Sequence, residues 1–180
     1  NLKLWDCVFI GSQSANTSSY FDRALVYCDQ NVINVPENPD YLSIIGCEFR
    51  YGYEAIELNA CPAGGARALG VFIAENTFID QLGTGVYIQN AVGEFSSNRV
   101  TTKVGNGYVG LRTAYFDSGS KILRNVFQLK GTIYGTEGIE VGNTQSTTEN
   151  MIADNMITVE GPGENWGLAI YNLWGMTVVY

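Results

Sequence analysis

The sequence repeats a short unit, in which an Asn-x-apolar step is followed, after a loop, by a Gly-apolar-x-apolar step. One clear copy occupies residues 69–79 and 85–90. The first step recurs along the chain at Asn76, Asn98, Asn125 and Asn155, and a cysteine holds the same position at Cys7 and Cys47. Successive anchors are 22 to 40 residues apart. A repeat of that length is typical of proteins built from stacked structural units.

Each unit contains short segments in which apolar residues alternate with other residues, as in β-strands. In the copy that ends at Asn90, Val86 and Ile88 point to one side and Tyr87 and Gln89 to the other. Helical periodicity is hard to find anywhere. The pattern predicts an all-β protein, a right-handed parallel β-helix of about six coils with three short strands per coil, in a single domain over residues 1–180.

Composition and charge exclude several classes of function. The formal net charge is −8 and the pI is about 4.4, which argues against a nucleic-acid partner, because phosphate recognition needs a basic surface. No apolar run is long enough for a membrane span. The chain has no histidine, so neither a Ser-His-Asp triad nor the usual zinc patterns are expected, and we predict no metal and no cofactor.

The two ends of the sequence both resemble strands and show no capping element, although stacked repeats need caps for solubility. No signal-peptide pattern precedes the first strand. We therefore expect a piece of a longer chain, with further β-helix coils, or a homo-oligomer such as a trimer.

The cysteines and the remaining asparagines have structural interpretations. Cys7 and Cys47 share one position in successive coils, where strand spacing would permit a disulfide. The preferred interpretation is free cysteine acting as a small apolar filler. A second set of turn residues shares one position after the Gly step, and we interpret it as a turn ladder rather than as catalytic: Asn90, Asn143 and Asn172, with Thr113 and Ala60 in the same position.

The Asn-x-Phe and Gly-apolar-x-apolar steps resemble those of the right-handed β-helix superfamily with the pectate-lyase-like fold. The resemblance covers nearly the whole chain. It implies activity on polysaccharides, as in lyases, polygalacturonase-like hydrolases, epimerases and phage tailspike depolymerases, and the chain resembles the tailspike class most. It also implies an extracellular or virion-surface location. The polygalacturonase motifs and the clustered aspartates of calcium-dependent pectate lyases are missing, so those two activities are not expected.

The resemblance further implies that the strand after the glycine lines the substrate groove. Alternation then predicts two outward rows. The first row is Val26, Glu57, Tyr87, Gly110, Glu140 and Ala169, and the second is Cys28, Asn59, Gln89, Arg112, Gly142 and Tyr171. Flanking loops add Tyr51, Tyr53, Tyr134 and Trp166. Such a mixture of aromatic, amide and charged side chains suits a sugar ligand, but the aromatic residues would equally suit loop packing or a subunit contact.

Two segments, residues 51–58 and 134–141, match each other, and each contains a Glu-x-x-Glu pair. Glu57 and Glu140 lie three coils apart, about 14 Å, which is too far for a glycosidase pair. A pair would have to form within one copy, Glu54 with Glu57 or Glu137 with Glu140, or with a neighbouring chain. Arg112 precedes Glu140 by one coil and could pair with it, which would lower the pKa of Glu140. In a lyase, Arg112 or Tyr87 would instead take the sugar proton.

Two hypotheses follow. The first is a polysaccharide depolymerase, hydrolase or lyase, with polysaccharide as its partner. The second is a non-catalytic glycan-binding or structural β-helix, in which the glutamates are solvated surface carboxylates. The candidate catalytic residues are Glu140, Glu137, Glu57 and Arg112. The candidate substrate-binding residues are Tyr87, Gln89, Asn59, Tyr171, Tyr134 and Trp166.

Overall fold

All regular structure in the described residues is β-strand. The computed structural model describes residues 2–13, 24–29, 41–59, 69–105, 108–116, 119–131, 135–143, 148–172 and 177–180. In these residues no helix is long and apolar enough to cross a membrane.

The strands form three stacks, and every pairing is parallel. The first stack contains β1 (Leu2–Trp5), β4 (Tyr41–Ile45), β7 (Leu69–Ala74), the second half of β9 (Thr84–Ser96), β12 (Lys121–Leu123), β15 (Asn150–Ala153) and β18 (Thr177–Val179). The second stack contains β2 (Val8–Ile10), β5 (Glu48–Arg50), β8 (Thr77–Ile79), β10 (Arg99–Gly105), β13 (Val126–Gly131) and β16 (Met156–Glu160). The third stack contains β3 (Ala24–Asp29), β6 (Glu54–Asn59), the first half of β9, β11 (Val109–Phe116), β14 (Glu137–Gly142) and β17 (Trp166–Tyr171).

One strand from each stack makes one coil, so the predicted all-β parallel β-helix with three short strands per coil is confirmed. In the described part of the chain, the four coils that run from β4 to β14 have a neighbouring coil above and below in all three stacks. The sequence predicted about six coils, against these four fully enclosed ones.

The interior is filled by rows of like side chains, because residues at equal positions of successive coils lie one strand spacing apart. The aromatic row shows this best. The rings of Phe9 and Phe49 stack with centroids 4.7 Å apart, and those of Phe49 and Phe78 are 5.1 Å apart. In the next coil Val100 holds the position aligned with Phe78. The ring of Phe95 packs against the ring of Phe78 instead, with centroids 6.3 Å apart.

Replacing Phe78 by alanine is expected to lower the free energy of unfolding by about 3–5 kcal/mol, because its ring is fully buried between neighbours in the row. Phe72, on the outer side of β7 and 37% exposed, offers the same substitution as a matched control. Phe72→Ala should cost about 1 kcal/mol or less. Urea unfolding of the two variants measures both values, and equal costs would contradict the assigned inward register.

The Asn-x-apolar step forms a hydrogen-bonded ladder along the corner between the first and second stacks. The Oδ1 atom of Asn98 accepts from the backbone N–H and from Nδ2 of Asn76, at 2.9 and 3.0 Å. Its Nδ2 donates to the carbonyl of Ile73 at 2.9 Å and to Oδ1 of Asn125 at 3.1 Å. Asn125 and Asn155 continue the same pattern. The residue before each anchor has a positive φ, from 50° to 65°: Asp6, Gly46, Glu75, Ser97, Arg124 and Asp154.

The cysteines extend this ladder as free thiols. Cys47 donates its backbone N–H to Oδ1 of Asn76 at 2.8 Å, and Cys7 donates its own to Sγ of Cys47 at 3.5 Å. Cys7 and Cys47 carry free thiols, which confirms the filler interpretation for these two. Burial, the largest cause, raises the pKa of the Cys47 thiol, so it stays protonated and unreactive. Cys61 lies outside the described residues.

The other asparagine set marks the corner between the third and first stacks. Asn90, Asn143 and Asn172 have φ values of 52° to 55°, the left-handed region that asparagine tolerates better than most residues. Asn172 donates through Nδ2 to Oδ1 of Asn143 at 3.1 Å. The turn interpretation is thus confirmed for these residues. Thr113 was wrongly assigned to this position, which Tyr115 holds with φ 53°. Ala60 lies outside the described residues.

Candidate functional site

Glycine fixes the register of the strands that carry the predicted site. Gly110 holds the same position in its coil as Gly85 does in the coil before and Gly138 in the coil after. The residues on either side of these glycines are paired with one another in the parallel sheet. A Cβ on Gly85 would lie 2.4 Å from the carbonyl oxygen of Gly110, and one on Gly110 would lie 2.6 Å from that of Gly138. These positions accept no side chain without a shift of the backbone, so the glycines of successive coils stay aligned.

This register corrects the predicted outward rows in two coils. Gly110 was predicted to point outward, but it aligns with Gly85, and Arg112 therefore moves from the second row to the first. Val26 and Cys28 were also predicted to point outward. They pair with Ile56 and Leu58 and pack against the core. The observed first row is Tyr27, Glu57, Tyr87, Arg112, Glu140 and Ala169, and the second row is Asn59, Gln89, Ala114, Gly142 and Tyr171.

The corrected register brings Arg112 between Tyr87 and Glu140 in one row. Arg112 donates through Nε to Oε2 of Glu140 at 2.6 Å, which confirms the predicted pairing. The side chains of Arg112 and Glu140 are 43% and 19% exposed, so the pair is accessible to a ligand. Glu57 lies in the same row three strands from Glu140, about 14 Å at strand spacing.

Glu137 lies three residues before Glu140 and on the other side of Gly138. Burial, and then the charge of Glu140, raises the pKa of Glu137, while Arg112 acts in the opposite direction. Its Oε2 is shielded from solvent and accepts no hydrogen bond from the residues that the structure describes. The two glutamates thus have different surroundings, one beside a guanidinium and one that favours the protonated form.

The raised pKa of Glu137 predicts a pH-dependent effect of Glu137→Gln. Because the folded state holds the proton more tightly, the stabilisation from this group is present at acid pH and is lost as the pH rises through the folded-state pKa. The glutamine variant should therefore become more stable, relative to the parent protein, between acid and neutral pH. Urea unfolding across this pH range tests it, with Glu160→Gln on an exposed position of β16 as the control. A difference that stays constant, or that changes in the opposite direction, would contradict the assignment.

Tyr87 is held in place by its neighbour two residues along the strand. Its hydroxyl donates to Oε1 of Gln89 at 2.7 Å, which leaves the amide nitrogen of Gln89 available as a donor. Burial is the largest cause that raises the pKa of Tyr87; Arg112 lowers it, and the charges of Glu57, Glu140 and Glu54 raise it. A tyrosine with a raised pKa is a poor base at neutral pH, so the alternative in which Tyr87 removes a sugar proton has little support.

The other predicted residues lie at the two ends of the row. Glu54 and Glu57 on β6 are only 2% and 4% exposed, and Asn59 beyond them is half-buried. At the opposite end, Trp166 and Tyr171 on β17 are 42% and 41% exposed.

The predicted loop aromatics are not all part of this surface. Tyr53 packs its ring against Gly83, where a Cβ would lie 2.5 Å from the ring, so Tyr53 has a structural role. Tyr51 is half-buried and has a φ of 60°. Tyr134 lies outside the described residues.

We call this surface the glutamate face. It consists of Glu54, Glu57, Tyr87, Gln89, Arg112, Glu137, Glu140 and Tyr171. Sequence reasoning missed the central place of Arg112, and aligning Gly110 with Gly85 would have found it. Among the described residues, no three or more cysteine, aspartate or glutamate side chains are arranged to hold a metal ion.

Comparison of the chain with protein-family models, with curated proteins and with solved structures finds no match. By its fold, the chain is a parallel β-helix protein. Its function is therefore inferred from the glutamate face alone.

Proposed function

We propose that this protein is a polysaccharide hydrolase, in which the glutamate face binds a glycan and Glu137 and Glu140 cleave a glycosidic bond. The observation that carries this proposal is the contrast between the two carboxyl groups. Glu140 accepts a hydrogen bond from Arg112, whereas burial raises the pKa of Glu137. Hydrolysis of a glycoside needs one carboxylic acid and one carboxylate near the same bond, and environment separates their roles.

In this mechanism the protonated Glu137 gives its proton to the oxygen of the leaving sugar. Glu140, as the carboxylate, attacks the anomeric carbon or activates the water that does so. The water supplies the hydroxyl of the new reducing end. Arg112 positions Glu140 through the 2.6 Å hydrogen bond.

Binding would use the rest of the row. Successive outward side chains lie about 4.8 Å apart along the helix axis, close to the length of one sugar unit. Aromatic surface at Tyr87, Tyr171 and Trp166 suits the C–H faces of sugars, and the amides of Gln89 and Asn59 suit their hydroxyl groups. A glycan lying along the axis would therefore meet a similar set of groups in each coil.

The finer assignment made from the sequence remains part of this proposal. It is a pectate-lyase-like depolymerase of the tailspike class, outside the cell or on a virion surface, working as a homo-oligomer such as a trimer or with further β-helix coils. The apolar residues exposed on the first coil, Leu2, Trp5, Val8 and Ile10, favour such a contact.

The direct test is incubation of the protein with a panel of neutral, cationic and anionic polysaccharides. A hydrolase releases reducing ends without the ultraviolet absorbance of an unsaturated sugar, and a lyase produces both. Absorbance that rises together with reducing ends would replace hydrolysis by elimination. Binding without any product would favour the non-catalytic alternative.

The second candidate function is a glycan-binding or structural β-helix without catalysis. It is favoured by the fact that Arg112 pairs with Glu140 and Tyr87 with Gln89 in the protein alone, as in a surface that is complete without chemistry. In that case Tyr87→Ala should weaken glycan binding, whereas Glu140→Gln should change it little.

A further inference from the structure

A small cavity lies inside the corner between the third and first stacks, and we call it the corner cavity. Its described lining residues carry no charge. Four of them are buried apolar residues: Phe116, Ile122, Val141 and Ile152. The cavity has room for about one water molecule. Val141 follows Glu140 in its strand and points to the opposite side, so this cavity is separate from the glutamate face.

A second polar ladder borders the corner cavity at the start of the first stack. Ser120, Asn150 and Thr177 hold aligned positions in successive coils, and all three line the cavity. Oδ1 of Asn150 accepts from the backbone N–H groups of Gly119 and Ser120, at 3.1 and 3.0 Å. These two hydrogen bonds fix the orientation of the amide, because only its oxygen can accept them.

The nitrogen of the same amide is a buried donor. Asn150 is 5% exposed, and its Nδ2 is shielded from solvent and donates no hydrogen bond to the described residues. Oγ1 of Thr177 is shielded as well and has no hydrogen-bond partner among them. Buried polar groups nearly always have a partner, so these two atoms indicate a small molecule that bonds to both.

The ladder that contains Asn98 shows why the two side chains do not bond directly. Nδ2 of Asn98 reaches Oδ1 of Asn125 in the next coil at 3.1 Å, and both of these side chains are amides of the same length. The residue aligned with Asn150 in the next coil is Thr177, whose side chain is one bond shorter. A threonine at this position therefore leaves a space between donor and acceptor.

We propose that the corner cavity is a binding site for one water molecule, which accepts from Nδ2 of Asn150 and donates to Oγ1 of Thr177. Water is both an acceptor and a donor, and it has the size of the cavity. An apolar guest would leave the amide donor unpaired. An ammonium ion has no acceptor for it, and the described lining offers an anion no cation. The bound water joins β15 to β18.

The test is a high-resolution crystal structure of the intact protein. We expect density for one water at hydrogen-bond distance, roughly 2.7–3.2 Å, from both Nδ2 of Asn150 and Oγ1 of Thr177. Crystals under xenon gas provide the opposite probe, since xenon enters dry apolar cavities. We expect no xenon at this position.

Variants assign the water to these two side chains. Thr177→Asn supplies an acceptor of the length found in the other ladder, so Asn150 should bond to it directly and the water should be displaced. Thr158→Asn makes the same change on an exposed position of β16 and should leave the water in place. Thr177→Val keeps the shape of the side chain and removes the hydroxyl, and it should lower the occupancy of the water severalfold. Circular dichroism checks that all three variants remain folded.

Three results would overturn this inference. The first is a parent structure without water density at this position, or with xenon in it. The second is a direct hydrogen bond between the side chains of Asn150 and Thr177. The third is a water that stays at full occupancy in both Thr177→Asn and Thr177→Val, since other groups would then hold it.

Discussion

Replacing Asn98 by alanine is expected to lower the free energy of unfolding by about 3–5 kcal/mol. Its buried side chain is the acceptor for the backbone N–H and for Nδ2 of Asn76, and the donor to the carbonyl of Ile73. The substitution leaves these groups without that partner in a region closed to water, and each such loss costs about 1–3 kcal/mol. Asn98 has an ordinary negative φ, so alanine adds no backbone strain.

Urea unfolding measures this loss, and Asn172→Gly provides a control. Asn172 is exposed, donates one side-chain hydrogen bond to Asn143, and has a φ of 52° that glycine tolerates. The control should cost about 1 kcal/mol or less. A cost that small for Asn98→Ala would mean that the ladder is a consequence of the fold and contributes little to the free energy of unfolding.

Replacing Glu140 by glutamine is expected to lower kcat by about a thousandfold or more, while the affinity for the glycan stays within a few fold. Glutamine keeps the size of the side chain and removes the charge that the transition state needs. Glu137→Gln should also lower kcat, since it removes the proposed proton donor, and it should abolish the part of the pH profile that reports the pKa of Glu137. Both are measured with the polysaccharide that gives reducing ends in the screen.

The matched control for this experiment is Glu160→Gln, on the exposed side of β16, which should retain full activity. Glu57→Gln should affect binding more than kcat, because Glu57 lies three strands from Glu140. Full activity in both Glu140→Gln and Glu57→Gln would exclude the glutamate face as the catalytic centre.

The fold could be predicted because each of two physical requirements of the fold selects a single residue type. A ladder position that must donate and accept along the axis selects asparagine, as at Asn76 and Asn98. A position with no room for Cβ selects glycine, as at Gly85. Asparagine and glycine hold these two positions in each coil from that of Asn76 to that of Asn155, so the stacking of coils follows from their spacing.

The register of two coils could not be predicted as well. Residues 109–111 contain a glycine between two apolar residues. This pattern fits either a glycine that points outward or a glycine at a position without room for a Cβ, and only the space around it distinguishes the two. In the first coil, residues 24–27 are all apolar and contain no glycine, so alternation does not define which side faces the interior. The pairing of Arg112 with Glu140 was still predicted, because it depends only on their being one coil apart.

The asparagine ladder also determines how stability is distributed in the molecule. Each of its side chains bonds only to the coil before it and the coil after it, as Asn98 does with Asn76 and Asn125. Interactions of this kind couple nearest neighbours, and a chain of nearest-neighbour couplings loses its order from the ends inward. The middle coils, which carry Arg112 and Tyr87, are therefore the last to open, and the glutamate face can keep its geometry while the terminal coils fray.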